Sequence, residues 1–411
     1  MSETAGAAIF DELFRSEHPP QDPYPRYEQL RELGPVLPVG PGLWLTTSFS
    51  LCSVALRDSR LGNDADAAGT ARGGPGWRDH PALTTLAGML LMANPPRHTR
   101  LRQLLTSHFS AHPVSSLRPA IERHVDVLMA ELMDVGEADF VATFADDLPR
   151  QVIADVIGIP EADRRQFRDR TLAFNAVFER SMTPRQLAEA DAAAVEIDAY
   201  VRELIHDVSR TPRPGLLSVL VTASDAGALP PSELAPVVFQ LYNASYQTVL
   251  SMLGNGLWTL LGHPAEFGRL RRDPSLAASA VAEILRFESP VQTTGRHAAA
   301  RCAIGPVTLE PGELLVTVLG AAHRDPDRFA HPDRFDITRR SPSSIAFGYG
   351  IHYCLGAALA NLQGEVAFRA VARPGIEIEP VAPPRYRESA NMRTVDSLPI
   401  RIQVVPPGRR L

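Results

Sequence analysis

The sequence predicts a mainly α-helical protein with a smaller β-rich region. From about residue 97 to residue 261, apolar side chains recur at helical spacing between Pro and Gly breaks. Within that part, residues 232–261 form one long apolar segment that carries no charge after Glu233, which is typical of a buried central helix. After Pro290 the pattern changes to short alternating segments between Pro and Gly turns, as at residues 376–378 and 400–405.

The individual elements follow in chain order. Residues 22–33 predict a turn and a short amphipathic helix, and residues 43–47 predict a strand. Residues 63–77 are rich in Gly, Ala and Asp and predict a mobile surface loop. Residues 276–287 predict a further helix. Since no Ser/Gly linker or repeat divides the chain, we expect one domain, residues 1–411, with a helix-rich body at about 97–287 and strand-rich parts at about 36–60 and 290–411.

Composition excludes several classes of protein. The net charge of the 411 residues is −6 and no basic stripe is present, so we expect no nucleic-acid partner. All 41 basic residues are arginine, which excludes a Schiff-base lysine and a Walker lysine. Three scattered cysteines do not make a disulfide framework and favour the reducing cytoplasm. Residues 1–20 are charged and lack an apolar run, so we expect neither a signal peptide nor a membrane anchor.

The stretch from Phe347 to Gly356, F-G-Y-G-I-H-Y-C-L-G, is the most informative part of the chain. Cys354 stands before a predicted helix, where free backbone N–H groups and the helix dipole favour a thiolate. Gly348, Gly350 and Gly356 remove side chains where a large flat group would approach the backbone. Phe347 can shield the sulfur from water. Together these residues predict a metal-bound thiolate.

This stretch resembles the cysteine signature of the cytochrome P450 family, F-x-x-G-x-[HR]-x-C-x-G, at every fixed position. The resemblance implies the mostly α cytochrome P450 fold over essentially the whole chain. It also implies that Cys354 is the axial ligand of the iron of haem b, and that Phe347, Gly348 and His352 contact the haem. A thiolate in that position favours O–O cleavage.

Glu283 and Arg286 lie three residues apart on the predicted helix 276–287, so they can form a charge-assisted pair. On its own, E-x-x-R is most often a solvated surface pair. The position of this one, about seventy residues before the cysteine, resembles the family's structural Glu-x-x-Arg pair. The family's third member comes from residues 329–340, where the sequence does not choose between Arg334 and Arg339.

His98 and Arg102 lie one helical turn apart after Pro95-Pro96, and the stretch resembles the family's D-P-P-x-H-x-x-x-R segment. The resemblance implies that both bind haem propionates, together with Arg296 and His352. The family's leading Asp is Asn94 here, a change that we expect to affect helix capping only.

The family's A-G-x-[DE]-T-[TS] motif falls on residues 244–249 of the long apolar segment, which read A-S-Y-Q-T-V. The resemblance makes Thr248, Gln247 and Ser245 the catalytic residues. Gln247 replaces the family's acid and cannot supply a proton at neutral pH, although it can orient a water. Thr248 can still hydrogen-bond bound dioxygen. Ser245 replaces a glycine and can bond back to the carbonyl one turn earlier, which bends a helix.

Two interpretations of this distal motif stay open. Water or a substrate group supplies the protons and ordinary hydroxylation or epoxidation proceeds, or proton delivery is altered to suit oxidative coupling or ring formation. Use of peroxide in place of dioxygen is a third option, and the presence of Thr248 argues against it. An alternative of another class is a non-catalytic P450-like activator of another enzyme, and the intact signature around Cys354 argues against it.

The resemblance implies a haem-thiolate monooxygenase that inserts one oxygen atom of dioxygen into an organic substrate. Since nothing resembles a flavin or nicotinamide site, we expect electrons from a ferredoxin and its reductase. We expect a cytoplasmic monomer without a membrane contact, and a macrocyclic or polycyclic secondary metabolite as the substrate. Candidate substrate contacts from the same comparison are Met89, Met92, Phe174, Phe178, Tyr242, Ala244, Gln292, Thr293, Thr294 and Thr394.

Overall fold

The computed structural model describes residues 2–16, 18–179, 182–340 and 344–404. Its helices are α1 Ser2–Phe14, α2 Tyr24–Leu33, α3 Phe49–Arg57, α4 Ala65–Gly73, α5 Pro81–Gly88, α6 Arg97–Thr106, α7 Ala111–Ser115, α8 Arg118–Val135, α9 Asp147–Ile157, α10 Arg164–Phe174, α11 Pro184–Arg210, α12 Leu216–Asp225, α13 Pro231–Gly262, α14 Pro264–Arg272, α15 Ala277–Phe287, α16 Leu319–Ala322 and α17 Ala357–Val371. Its strands are β1 Leu37–Gly40, β2 Leu43–Thr46, β3 Leu61–Gly62, β4 Glu137–Asp139, β5 Thr293–Ala298, β6 Cys302–Ile304, β7 Val307–Leu309, β8 Leu314–Val318, β9 Ile376–Pro380, β10 Arg385–Tyr386, β11 Val395–Ser397 and β12 Pro399–Val404.

The mainly α fold with small sheets is confirmed. The predicted strands at 43–47, 376–378 and 400–405 correspond to β2, β9 and β12, and Val405 lies outside the described residues. The helix expected at 276–287 is α15. Among the described residues, no helix is both long and apolar enough to cross a bilayer.

The chain divides into two compact units. The first contains Met1–Leu61, Ala111–Pro149 and Gln247–Leu411, and the second contains Gly62–Ser110 and Arg150–Tyr246. In the first unit, β1, β2, β8 and β5 lie side by side in that order, with β2 parallel to β8 and β5 antiparallel to it. Helices α1 and α2 cover this sheet through a buried apolar cluster that includes Phe10, Tyr27 and Leu45. A second sheet of the same unit, β4-β12-β9, is antiparallel.

In the second unit, residues 63–77 are not the loop that the sequence predicted. They contain α4, whose first turn is capped by Asp64, since its Oδ1 accepts the N–H of Ala67 at 2.9 Å. A Cβ atom added to Gly69 would lie 2.4 Å from the Trp77 ring, so this glycine lets the helix pack directly on the indole. The composition resembled a loop because small residues were needed for a close contact.

The long apolar segment is one helix, α13, of 32 residues, as its charge-free sequence predicted. Its C-terminal half belongs to the first unit, where it packs closely against α15 and α17. A Cβ on Gly256 would lie 2.3 Å from Cζ of Phe368, and a Cβ on Gly364 would lie 2.9 Å from Cε of Met252. These two glycines let α13 pack close to α17, the helix that follows Cys354.

Candidate active site

The cysteine loop, residues 344–356, is held by its own backbone. The N–H of Gly348 donates to the carbonyl of Ile345 at 2.9 Å, and the N–H of Cys354 donates to the carbonyl of Phe347 at 2.8 Å. A 3-10 turn spans Gly350–His352, and α17 begins only at Ala357, so Cys354 lies three residues before the helix. The cysteine is half-buried, unlike Cys52 and Cys302, which are buried.

The three glycines of this loop serve different purposes. Gly348 and Gly350 have φ angles of +68° and +69°, a region that other residues rarely adopt. A Cβ on Gly350 would lie 2.3 Å from the carbonyl oxygen of Leu56, whereas a Cβ on Gly348 would meet nothing closer than 3.9 Å. No described atom outside its chain neighbours lies within 4 Å of a Cβ on Gly356. The backbone of α3 therefore explains Gly350, and only Gly348 and Gly356 remain candidates for making room for a flat group.

Glu283 and Arg286 form a buried pair, 3% and 2% exposed, and not the solvated pair that the motif alone would suggest. Arg286 Nε and Nη2 donate to the two carboxylate oxygens of Glu283, each at 2.8 Å. Arg286 also donates to the carbonyls of His323 at 2.9 Å, Pro332 at 2.7 Å and Arg334 at 3.1 Å. All five guanidinium N–H groups are therefore occupied, which offsets the cost of burying the charges.

The third member of this cluster is Arg339. Its Nε donates to Glu283 Oε1 at 3.1 Å, and its other nitrogens donate to three backbone carbonyls, including that of His331 at 3.1 Å. The other candidate, Arg334, supplies a carbonyl to the cluster, while its side chain is 62% exposed and lies 3.7 Å from Asp336. The choice that the sequence left open falls on Arg339.

Arg296 and His352 are the propionate candidates of the first unit. Arg296 lies on β5, is 7% exposed, and donates to Thr294 Oγ1 at 3.1 Å and to the carbonyl of Gly295 at 2.8 Å. Burial lowers the pKa of its guanidinium to about 10, because the cation is poorly solvated there. A carboxylate beside it would restore the stability of the charge. His352 is half-buried in the 3-10 turn.

His98 and Arg102, the propionate candidates of the second unit, lie one turn apart on α6. His98 is 3% exposed, and burial and the charge of Arg102 lower its pKa, which favours the neutral ring. The expectation for Asn94 is wrong, because its side chain does not cap α6. Its Oδ1 accepts the N–H of Asn63 at 3.0 Å instead, and the residue at the cap position is Pro96.

The residues present fit a haem. A half-buried cysteine, preceded by a loop with a fixed backbone, supplies one soft ligand. Arg296 is a buried cation whose environment favours a neighbouring carboxylate, and a haem carries two as propionates. In the first unit, Cys354 would hold the iron, and Arg296 and His352 would bind the propionates. Bound there, the haem would supply activation of dioxygen.

The distal motif lies where α13 becomes accessible. Ala244 is exposed, and Ser245, Gln247 and Thr248 are half-buried, although the helix around them is largely buried. Within the described part of the chain, the hydroxyl of Ser245 makes no hydrogen bond, so its expected bond to the preceding turn is absent. Ser251 makes such a bond instead, donating to the carbonyl of Gln247 at 2.9 Å.

Downstream of this motif, α13 forms hydrogen bonds with residues 393–395. Ser251 Oγ lies 2.7 Å from Thr394 Oγ1. Asn255 brackets that contact, since its Nδ2 donates to the carbonyl of Arg393 at 2.8 Å and its Oδ1 accepts the N–H of Val395 at 3.0 Å. Because Ser251 donates to Gln247, Thr394 donates to Ser251 and presents only an acceptor elsewhere. The segment is therefore fixed to the helix that carries the distal motif.

The candidate substrate contacts differ in burial. Phe174 and Tyr242 are fully buried in aromatic clusters with Phe239 and Phe167, which is a core role. Gln292 is also committed to the fold, since its Oε1 accepts the Tyr27 hydroxyl at 3.0 Å and its Nε2 donates to a backbone carbonyl. Half-buried or exposed members are Met92, Phe178, Ala244 and Thr294, while Met89, Thr293 and Thr394 are buried.

Sequence reasoning missed Asn255, Ser251 and His323. A polar residue repeated at four-residue spacing in an otherwise apolar helix, Ser251 and Asn255, was a signal that could have been used. His323 stands in an apolar stretch after β8 and gave no local signal, because its partners lie more than twenty residues away.

Known proteins similar to this chain point in one direction. The family model described as Cytochrome P450 matches residues 274–373. Cytochrome P450 107B1 of Saccharopolyspora erythraea is 37% identical over 95% of this chain and 96% of its own length. The 6-deoxyerythronolide B hydroxylase of the same organism is 35% identical over 93% of this chain and 96% of its own. Among solved structures, the P450 enzyme CxnD for C–S bond formation in chuangxinmycin biosynthesis has a TM-score of 0.83 and 31% identity, covering 94% of this chain and 95% of that one.

Proposed function

We propose that this chain, which belongs to the cytochrome P450 family of haem-thiolate monooxygenases, oxygenates a secondary metabolite in a natural-product pathway. The observation that carries the proposal is the cysteine loop, in which the N–H of Cys354 donates to the carbonyl of Phe347 and so fixes the backbone that presents the thiol. The 6-deoxyerythronolide B hydroxylase among the relatives supports a secondary metabolite, macrocyclic or polycyclic, as the substrate.

The residues of the chain have separate tasks in this function. Cys354 would supply the thiolate that holds the haem iron, and Arg296, His352, His98 and Arg102 would bind the propionates. Thr248 donates a hydrogen bond on the distal side. The amide of Gln247 cannot lose a proton at neutral pH, so it holds a water in place and the proton comes from solvent or from a substrate hydroxyl.

The finer features stay with this proposal. The cofactor is haem b, held without covalent attachment, since no C-x-x-C-H motif is present. Electrons come from a ferredoxin and its reductase, because the chain shows no flavin or nicotinamide motif. The protein works as a cytoplasmic monomer, with residues 1–411 as a single domain.

The first experiment is a spectrum of the reduced protein under carbon monoxide. A strongly red-shifted Soret band is expected for thiolate ligation, and Cys354→Ser should abolish it. Cys302→Ser is the matched control, because that thiol is buried on β6 and is not part of the loop, and its variant should keep the band. Fresh parent protein without the band would contradict the proposal.

A second candidate function is oxidative coupling or ring closure, which the replacement of the distal acid by Gln247 favours and which the C–S bond-forming relative makes chemically reasonable. Turnover under isotope-labelled dioxygen separates the two functions. Oxygenation places one labelled atom in the product, and coupling places none.

The role of Gln247 is tested by Gln247→Glu. If delivery of protons limits turnover, the variant should form more product per dioxygen consumed. Gln247→Leu, which cannot orient a water, should form less. An unchanged ratio in both variants would show that this side chain takes no part in proton delivery.

A further inference from the structure

One buried histidine, His323, forms hydrogen bonds through its backbone carbonyl and through its ring. It follows α16 and is 0% exposed. Its backbone carbonyl accepts the Nη1–H of Arg286 at 2.9 Å. Its ring Nε2 lies 3.1 Å from the backbone nitrogen of Ile345 and 2.9 Å from Ser344 Oγ. The residue therefore joins the buried arginine cluster to the beginning of the cysteine loop.

These contacts fix the state of the ring. A backbone N–H can only donate, so Nε2 must present its lone pair to Ile345, and the proton of the neutral ring must be on Nδ1. Nδ1 has no hydrogen-bond partner among the described residues. Burial and the charges of Arg286 and Arg324 lower the pKa of His323 to about 3, so the ring stays neutral. The ring thus leaves a buried donor unsatisfied in order to accept at Nε2.

From Ile345 the connection continues to the cysteine. The carbonyl of Ile345 accepts the N–H of Gly348 at 2.9 Å, and the carbonyl of Phe347 accepts the N–H of Cys354 at 2.8 Å. Ser344 Oγ, beside the ring, accepts the N–H of Ala346 at 3.0 Å. A displacement of residues 344–346 would therefore move the turn to which the backbone of Cys354 is hydrogen-bonded.

We propose that His323 is a positioning residue for Cys354, acting through the hydrogen bond from Ile345 to its ring and through its carbonyl bond to Arg286. The inference rests on the proposed role of Cys354 as haem ligand. It assigns to His323 the preservation of thiolate ligation, and no contact with haem or substrate.

The test uses the holoprotein, reduced and bound to carbon monoxide, in mild urea. We measure the rate at which the red-shifted Soret band gives way to the unshifted band, with tryptophan fluorescence recorded in the same samples as the readout of global unfolding. His323→Leu leaves the N–H of Ile345 buried without an acceptor, so conversion should be roughly 5- to 30-fold faster and should precede the fluorescence change. His323→Gln offers an amide oxygen in place of Nε2 and should recover most of the parent's rate.

His263→Gln is the matched control. This histidine of the same unit is half-buried, and its ring bonds only to the carbonyl of Thr259 at 2.8 Å among the described hydrogen bonds. It should convert at the parent's rate. If His323→Leu gives no folded holoprotein, His323→Asn takes its place, since that side chain is too short to reach Ile345.

The proposal is overturned if the Leu or Asn variant converts at the parent's rate. It is also overturned if the band is lost only in step with fluorescence, or if the Gln variant is as impaired as the Leu variant. A parent protein that lacks the red-shifted band contradicts the proposed function instead, so the two failures are distinguishable.

Discussion

Replacing Gly350 by alanine should destabilise the protein by a predictable amount. The new side chain must adopt a φ of +69°, which costs about 1–2 kcal/mol for a residue with a Cβ. Its Cβ would also stand 2.3 Å from the carbonyl oxygen of Leu56, and overpacking of that kind costs about 1–3 kcal/mol. The neighbour is backbone and cannot rotate away. We therefore expect a total loss of about 2–5 kcal/mol.

Gly348→Ala separates the two contributions. This residue has nearly the same φ, +68°, and its Cβ would meet no atom closer than 3.9 Å. It should lose only the conformational part, about 1–2 kcal/mol. Urea unfolding of the haem-free forms of both variants gives the two free energies of unfolding without any contribution from contact between residue 348 and the haem. The difference between the variants, about 1–3 kcal/mol, measures the contact with Leu56 alone.

Gly356→Ala completes the series. Its φ of −87° is open to any residue, and no described atom outside its chain neighbours would lie within 4 Å of the new Cβ. If a flat group approaches here, this variant should lose haem content, a result that protein contacts alone do not predict. Equal losses of stability in Gly350→Ala and Gly348→Ala would refute the reasoning, because they would mean that the 2.3 Å contact has no energetic effect.

Three further results are expected. Arg339→Ala should lower the free energy of unfolding by about 1.5–3 kcal/mol in thermal or urea unfolding, since it removes a charge-assisted bond to buried Glu283. Arg334→Ala, whose side chain is 62% exposed, should change it by no more than about 0.5 kcal/mol. A larger loss in Arg334→Ala than in Arg339→Ala would contradict the assignment of the cluster. Asn255→Ala strands one buried N–H and one part-buried C=O and should cost about 2–5 kcal/mol in urea unfolding; a loss within about 0.5 kcal/mol would contradict this. Finally, the pKa of His323 is lowered to about 3 from its ordinary 6.5. Below pH 6.5 the histidine is therefore protonated in the unfolded chain but not in the folded chain, so the free energy of unfolding falls as the pH falls. Between pH 6.5 and 5 this contributes about 1.6 kcal/mol of loss, which His323→Gln should lack in urea unfolding at the two pH values.

The sequence was informative wherever the chemistry is local. The signature around Cys354 and the i, i+3 pair of Glu283 and Arg286 are short patterns, and the latter is found as a bonded pair. The choice between Arg334 and Arg339 was not accessible, because it depends on how residues 329–340 fold back onto a helix more than fifty residues earlier. No pattern within one segment carries that information.

The errors have the same physical origin. The sequence allowed Ser245 to bond back to its own helix, whereas the structure shows that bond at Ser251, whose hydroxyl also contacts Thr394. Residues 63–77 were expected to be a loop, since glycine is rare within helices, yet Gly69 is needed where the Trp77 ring touches the helix. In each case a partner that is distant in sequence, or the geometry of a contact, decided the outcome.

The bonding of Arg286 has a consequence for how the chain reaches its active form. Its two bonds to Glu283 can form as soon as α15 does, whereas the carbonyls of His323, Pro332 and Arg334 come from residues synthesised 37 to 48 positions later. Until those carbonyls arrive, three donors of the guanidinium need water, and the side chain cannot be buried. The side chain of Arg286 can therefore be buried only after residues 323–334 have packed against α15. These residues also lead into the loop that carries Cys354. We expect the chain to acquire haem only as a late event of folding, after this arginine has lost its last water.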